Sequence, residues 1–276
     1  MHAADDFLTT LNAIRTLPIS ASKRCSLAAA YTESALQRKA GSSGPAEVAV
    51  WGLRHLAPSW RSAKFLLREI YVDLPYQTTL PAAKVIFDVG ANCGFATLFF
   101  RSTFPAATIV AIEPQRREAD FCRTAVTLNR LEGVEVINAA VGGEPGRRML
   151  SIVDDNSVIS SFCTERAENS HQEPTEVLRL STLLPECPVD LMKMDIEGAE
   201  LEVLRELAAS GTLSPARIKP LVIEVHRFPS LDGDPLAAIL NLLTKHGYDY
   251  SVAARAGNAS HHQDVLVYCS PASGQL

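Results

Sequence analysis

The sequence has no long apolar run, no excess of basic residues and no closely spaced pair of cysteines. Its apolar stretches fall well short of the roughly 20 residues that cross a bilayer. It contains 26 basic and 31 acidic residues, for a formal net charge of −5, and no polybasic segment. These absences argue against a membrane protein, whether spanning or surface-bound, and against a nucleic-acid-binding protein.

The six cysteines are scattered, without a Cys-x-x-Cys spacing, which is typical of reduced thiols in a chain of this length. Asp5 and Asp6 precede the first apolar stretch, which fits neither a signal peptide nor a transit peptide. We therefore expect a cytoplasmic protein. The sequence leaves open whether it forms a homo-oligomer.

The most informative stretch is a glycine-containing loop after an apolar run, Val85-Ile86-Phe87-Asp88-Val89-Gly90-Ala91-Asn92-Cys93-Gly94-Phe95. A near-continuous apolar run predicts a buried parallel strand, and ligands of open α/β sheets bind beyond the carboxyl ends of such strands. Gly90 and Gly94 would allow close approach of the backbone to a ligand, and Asn92 tolerates a left-handed conformation. The Gly-x-Gly-x-x-Gly dinucleotide signature is absent. The loop indicates a nucleotide-like cofactor; the alternative is a structural turn.

Residues 1–75 differ from the rest and are predicted as a helical N-terminal appendage or lid, with the main domain over 76–276. Apolar spacing predicts helices around 8–17, 27–39, 48–56 and 62–72. From Lys84 onward strand and helix patterns alternate, which predicts a parallel sheet with helices on both faces. The predicted strands are 84–89, 108–112, 134–138, 189–194, 218–226, 249–254 and 264–269, with short extra strands at 146–153 and 175–180. The predicted helices of this domain are 94–103, 116–130, 198–210 and 234–246. The polar segment 154–174 is predicted to be a mobile substrate loop.

Two further strands end in acidic residues. Glu113-Pro114 follows the strand 108–112, and Glu113 lies 19 residues after Gly94, close to the interval at which an acid accepts the ribose hydroxyls of a cofactor. Asp195 ends the strand 189–194 and should face the same crevice as Asp88. Glu200 is predicted to serve only the electrostatics of a helix start, worth about 0.3–1 kcal/mol. For Glu197 the sequence leaves open whether it has this role or a functional one.

These motifs together resemble the FkbM family of S-adenosylmethionine-dependent methyltransferases. The resemblance covers about 65–270 and is carried by Asp88–Gly94, Ile112-Glu113-Pro114, Ala139-Ala140-Val141-Gly142 and, most specifically, Lys193-Met194-Asp195-Ile196-Glu197-Gly198-Ala199-Glu200. It implies a class I methyltransferase fold, a Rossmann-like α/β sheet of seven strands with the last strand antiparallel. It also implies O-methylation of hydroxyls on natural products, sugars or lipids.

The resemblance places S-adenosylmethionine on a defined set of residues. Gly90, Asn92 and Gly94 would pass under its methionine part, Glu113 would hold the ribose, and Ala140 with Val141 would lie beside the adenine. Tyr76 would close over the cofactor. The complete set predicted to bind the cofactor is Tyr76, Asp88, Gly90, Asn92, Gly94, Phe95, Glu113, Pro114, Ala140, Val141 and Asp195.

A hydroxyl acceptor must lose a proton, and a placed base accelerates such a step by about 10²–10⁴-fold. The candidates are Asp195, Glu224 and His226; the last two are two residues apart and should share one face of their strand. The pKa near 6.5 of an unperturbed histidine suits a base. The same three residues could instead hold Mg²⁺, since carboxylates and water suit a hard cation.

The function that fits best is methylation of a hydroxyl on a small-molecule acceptor. An N-methyltransferase acting on an amine or carbamoyl nitrogen would share every cofactor motif. An NAD-dependent oxidoreductase would share the ribose acid but lacks its glycine signature here. A binding protein without catalysis would have no need of Asp88, Glu113, Asp195 and Glu224.

Overall fold

The computed structural model describes residues 2–78, 80–153, 160–161, 170–226, 234–254 and 265–272. The helices are α1 His2–Thr16, α2 Ala21–Lys39, α3 Trp60–Leu66, α4 Phe95–Thr103, α5 Arg116–Leu128, α6 Leu180–Leu183, α7 Glu200–Ala209 and α8 Pro235–Lys245, with a π-helical segment Leu67–Val72 after α3. The strands are β1 Ala46–Val50, β2 Leu53–Ala57, β3 Val85–Val89, β4 Thr108–Ile112, β5 Val134–Ile137, β6 Ala140–Val141, β7 Gly146–Val153, β8 Ser160–Ser161, β9 Ser170–Leu178, β10 Leu191–Met194, β11 Leu221–Val225, β12 Tyr248–Ala254 and β13 Val265–Pro271. None of the helices in these ranges combines the length and apolar character that a membrane span requires.

The central sheet has seven strands in the order β12-β13-β11-β10-β3-β4-β5. The strands from β11 to β5 are parallel, and β13 is antiparallel to both of its neighbours. This order confirms the predicted α/β sheet with an antiparallel last strand. The order reverses between β3 and β10, so a crevice opens at the carboxyl ends of these two strands, the usual ligand site of such sheets.

Hydrophobic residues cover both faces of this sheet. Four of the five residues of β3 are buried, as expected of a central parallel strand. One core lies between the sheet, α4 and the N-terminal elements, and includes Tyr31, Tyr71 and Phe100. The other joins the sheet to α7 and α8. The N-terminal residues therefore share a core with the sheet.

The predicted helix over 48–56 is wrong. Residues 46–57 form an antiparallel hairpin in which Val50 pairs with Leu53. Its two-residue turn, Trp51-Gly52, has positive φ at both positions (52° and 83°), the conformation that matches the twist of a tight hairpin. Burial alternates along β1, so the period of two, and not helical spacing, was the correct signal. The other three N-terminal helical predictions are confirmed, with the last one continuing as the π-helical segment.

A second sheet, in the order β6-β9-β7-β8, lies between β5 and β10 in the sequence. It confirms the strands predicted at 146–153 and 175–180, the second of which begins earlier, at Ser170. Most of the predicted substrate loop 154–174 lies outside the described residues. Residues 160–161 form β8 and the last five residues belong to β9, so for these residues the prediction of a loop is wrong.

Candidate active site

The glycine loop after β3 is held tightly against the neighbouring strands. The amides of Gly90 and Ala91 both donate to the carbonyl of Ile112 at 2.9 Å. Gly90 has φ = 82°, and a Cβ there would lie 1.7 Å from the carbonyl oxygen of Asp195. Asn92, with φ = 50°, adopts the left-handed conformation expected for it. No side chain fits at Gly90, so the loop brings bare backbone to the crevice.

Glu113, at the end of β4, is joined to this loop. Its carboxylate accepts the amide of Asn92 at 2.8 Å and the amide of Gln115 at 2.9 Å. Burial raises the pKa of Glu113 to about 7, although these two amides act in the opposite direction. A carboxylate has about four acceptor positions, so two remain for the hydroxyls of a ribose. Asn138, which the sequence did not single out, donates to the carbonyls of Glu113 and Pro114 at 2.9 Å.

Asp88, in β3, is connected to the glycine loop through Lys193. It is completely buried, and it accepts the hydroxyl of Thr97 at 2.6 Å. The Nζ of Lys193 lies 3.3 Å from Asp88 and 3.6 Å from Asp195, and it donates to the carbonyl of Gly90. Burial would lower the pKa of Lys193, but Asp88 and Asp195 outweigh it and raise that pKa. Lys193 thus ties the glycine loop to two of the predicted acids.

One histidine, His226, lies beside Asp195 and two further carboxylates. The Nε2 of His226 lies 3.7 Å from Asp195 and 3.6 Å from Glu197, and its Nδ1 lies 2.8 Å from Glu200. Burial would lower the pKa of His226, but Glu197, Glu200 and Asp195 raise it well above its ordinary value. The pKa of the imidazole is therefore raised and its protonated form is favoured, contrary to the expectation that this pKa would stay near 6.5.

The structure brings Asp195 and His226 together, and Glu224 lies near Lys193, the neighbour of Asp195. Glu224 is buried in β11, where its charge contributes to the raised pKa of Lys193. In the part of the chain described, one group of donor atoms lies close enough to share a cation, within 4.8 Å of one another, and it comprises Asp195, Glu197 and His226. Glu197 takes the position in this group that the sequence analysis assigned to Glu224.

The remaining predicted cofactor residues lie at or behind the same edge. Tyr76 is buried, with its ring centroid 5.6 Å from the Nζ of Lys193. Phe95 is buried against His55, and Ala140 and Val141 form the buried strand β6. Closure of Tyr76 over a cofactor stays a prediction.

Comparison with known proteins gives consistent matches. A family model described as a methyltransferase FkbM domain matches residues 88–250, more than half of the chain. "Methyltransferase 1" of Beauveria bassiana is 30% identical over 166 residues, which cover 52% of this chain and 67% of the relative. The 31-O-demethyl-FK506 methyltransferase FkbM of Streptomyces tacrolimicus is 29% identical over 220 residues, 67% of this chain and 82% of the relative. Among solved structures, M. jannaschii TYW2 in complex with AdoMet aligns at 16% identity and a TM-score of 0.48, over 84% of this chain and 88% of that chain.

Proposed function

The chain belongs to the FkbM methyltransferase family, and from that membership we propose that it transfers a methyl group from S-adenosylmethionine to a hydroxyl oxygen of a small molecule. When bound, S-adenosylmethionine supplies an electrophilic methyl group on a positively charged sulfur. The glycine loop and Glu113 would hold its methionine and ribose parts. The acidic groups near Asp195 suit the positive charge.

Asp195 would remove the proton from the hydroxyl of the methyl acceptor. Its side chain is 27% exposed, whereas that of His226 behind it is 4% exposed. Because the raised pKa of His226 favours its protonated form, we assign the role of proton acceptor to Asp195. The protein's main contribution would be to align the acceptor, which can lower a barrier by about 7–11 kcal/mol, with proton removal contributing a further 10²–10⁴-fold.

The choice of oxygen, and not nitrogen, as the atom that receives the methyl group rests on the part-exposed carboxylate of Asp195 beside the glycine loop. A hydroxyl needs a base during attack, whereas a neutral amine attacks through its lone pair. The Streptomyces relative supports the same choice, because its name describes a substrate that lacks a methyl group on an oxygen.

The proposal can be tested with S-adenosylmethionine labelled with ¹³C in the methyl group and a panel of alcohols, phenols and sugars, each paired with its amine counterpart. We expect methylation of the hydroxyl compounds, identified by the ¹³C chemical shift of an O-methyl carbon. Label on nitrogen alone would refute the proposal and favour the N-methyltransferase alternative.

The base assignment has its own test. We expect Asp195→Asn to lower turnover about 10²–10⁴-fold while S-adenosylhomocysteine still binds. Glu224→Ala and His226→Ala test the other two predicted bases in the same assay. Full turnover in Asp195→Asn would show that the base lies elsewhere.

A further inference from the structure

Glu200 was expected to serve only the start of a helix, but its surroundings indicate more. We propose that Glu200 is a positioning residue, which holds the imidazole of His226 so that its Nε2 faces the carboxylates of Asp195 and Glu197 at the crevice. The inference rests on the proposed function, in which Asp195 receives the proton of the acceptor.

The burial of Glu200 is the first observation. It is the first residue of α7 and is only 1% exposed. A carboxylate that merely complements a helix dipole does so from the surface, and gains only about 0.3–1 kcal/mol there. Burying a charge costs several kcal/mol and requires a partner. The partner is His226, itself 3% exposed, at the other end of a 2.8 Å hydrogen bond.

The hydrogen bond between Glu200 and His226 determines which ring nitrogen faces the crevice. Nδ1–H of His226 donates to Oε1 of Glu200, which also accepts the amide of Gly198 at 3.0 Å. The ring orientation is thereby fixed, and the other nitrogen points at Asp195 and Glu197, at 3.7 and 3.6 Å. A carboxylate that orients a histidine through its far nitrogen is a recurrent arrangement in active sites.

The chain between β10 and α7 is shaped to allow this. Glu197 has φ = 53° and Gly198 has φ = 102°, two successive left-handed residues. This turn brings the acids at 195, 197 and 200 to one imidazole, although a regular helix or strand would separate them. Exposure increases along the series, from Glu200 at 2% through His226 at 4% to Glu197 at 18% and Asp195 at 27% of the side chain.

The arrangement has an electrostatic consequence. Asp195 and Glu197 are like charges near the same ring nitrogen, and like charges alone would disfavour ionisation of both. The imidazole facing both carboxylates, together with Lys193 at 3.6 Å from Asp195, offers positive charge that offsets this repulsion. Glu200 makes this possible from a position that solvent does not reach.

The test is a ¹⁵N NMR titration of the histidine rings in the full-length protein, with His226 assigned by the signal that disappears in His226→Gln. In the wild type we expect Nδ1 to be protonated and the titration midpoint of His226 to lie above that of an exposed histidine. In Glu200→Gln, which keeps the size of the side chain, the midpoint should fall by about 1–3 pH units because an adjacent charge is lost. Glu206→Gln is the matched control: Glu206 is a buried acid on the same helix, but it binds Ser181 and should leave His226 unchanged.

An unchanged midpoint in Glu200→Gln, or an unprotonated Nδ1 in the wild type, would overturn the proposal. An equal fall of the His226 midpoint in Glu206→Gln would also overturn the proposal, since it would indicate a general change in α7. S-adenosylhomocysteine binding is measured on the same samples and should be retained. If the wild type does not bind it, the proposed function fails, whatever the titration shows about Glu200.

Discussion

Replacing Glu113 by alanine should weaken S-adenosylhomocysteine binding severely. The carboxylate of Glu113 would accept the two ribose hydroxyls of the ligand, and a hydrogen bond to a charged group contributes about 1.5–3 kcal/mol. Loss of two such bonds corresponds to about 3–6 kcal/mol, or roughly 10²–10⁴-fold in the dissociation constant. Isothermal titration calorimetry of Glu113→Ala against the wild type measures this directly.

Glu113 also accepts the amides of Asn92 and Gln115, so its removal could weaken binding by loosening the loop. A 2′,3′-dideoxy analogue of the ligand separates the two effects. We expect the wild type to bind the analogue much more weakly than S-adenosylhomocysteine, and Glu113→Ala to bind the two ligands almost equally. Glu118→Gln, a change at another buried acid near the start of α5, is the matched control and should retain affinity. Wild-type affinity in Glu113→Ala would refute the assignment of Glu113 to the ribose.

Three other perturbations have defined outcomes. Burial raises the pKa of Glu118 from 4.5 to about 8, and among the described residues its oxygens accept no hydrogen bond. The folded protein keeps a proton that the unfolded chain releases, so the free energy of unfolding falls as pH rises from 4.5 to about 8. Glu118→Gln should therefore raise the midpoint of thermal unfolding more at pH 9 than at pH 5. An equal rise at the two pH values would contradict the raised pKa of Glu118. Lys193→Met should destabilise the protein by about 3–5 kcal/mol in urea unfolding, because it leaves the buried Asp88 without its cation, and wild-type stability would show that the ion pair contributes nothing. Because Asp195 and Glu197 raise the pKa of His226 and so favour a proton on its ring, we expect neither MgCl₂ nor EDTA to change S-adenosylhomocysteine affinity at pH 7; a Mg²⁺-dependent gain that is lost in Glu197→Gln would instead show a cation site.

The hairpin at 46–57 shows where local sequence patterns mislead. Leu53 and Leu56 are three residues apart, a helical spacing, whereas Val48 and Val50 are two apart, a strand spacing, so this short stretch contains both patterns. The choice between them depends on long-range contacts. The amide of Arg54 donates to the side chain of Asn129, 75 residues later, and Trp51 packs on Tyr71 and Phe99. Such contacts have no signature in the local pattern.

The candidate site was predicted in part. The glycine loop, Glu113 and Asp195 could be found because each follows directly from a strand end, and strand ends of a parallel sheet meet at one edge. Glu200 was assigned to helix-start electrostatics, and Glu197 was left undecided between that role and a function. Lys193 was named only as part of the family motif. Their roles depend on which atoms face them, and Glu200 meets His226 only because the turn at Glu197-Gly198 brings α7 beside the end of β11.

The sequence by itself determined the class of fold and the position of the cofactor loop, because apolar periodicity and turn residues act over a few neighbouring positions. Its short motifs carried the resemblance to the family. Only the tertiary structure decided which acids lie around one histidine and which are buried. The pKa of a side chain reflects desolvation and charges within a few ångströms, and those charges come from strands and helices far apart in the chain. For the same reason the pKa of His226, a plausible base by its residue type, is raised by three carboxylates that the fold gathers around it.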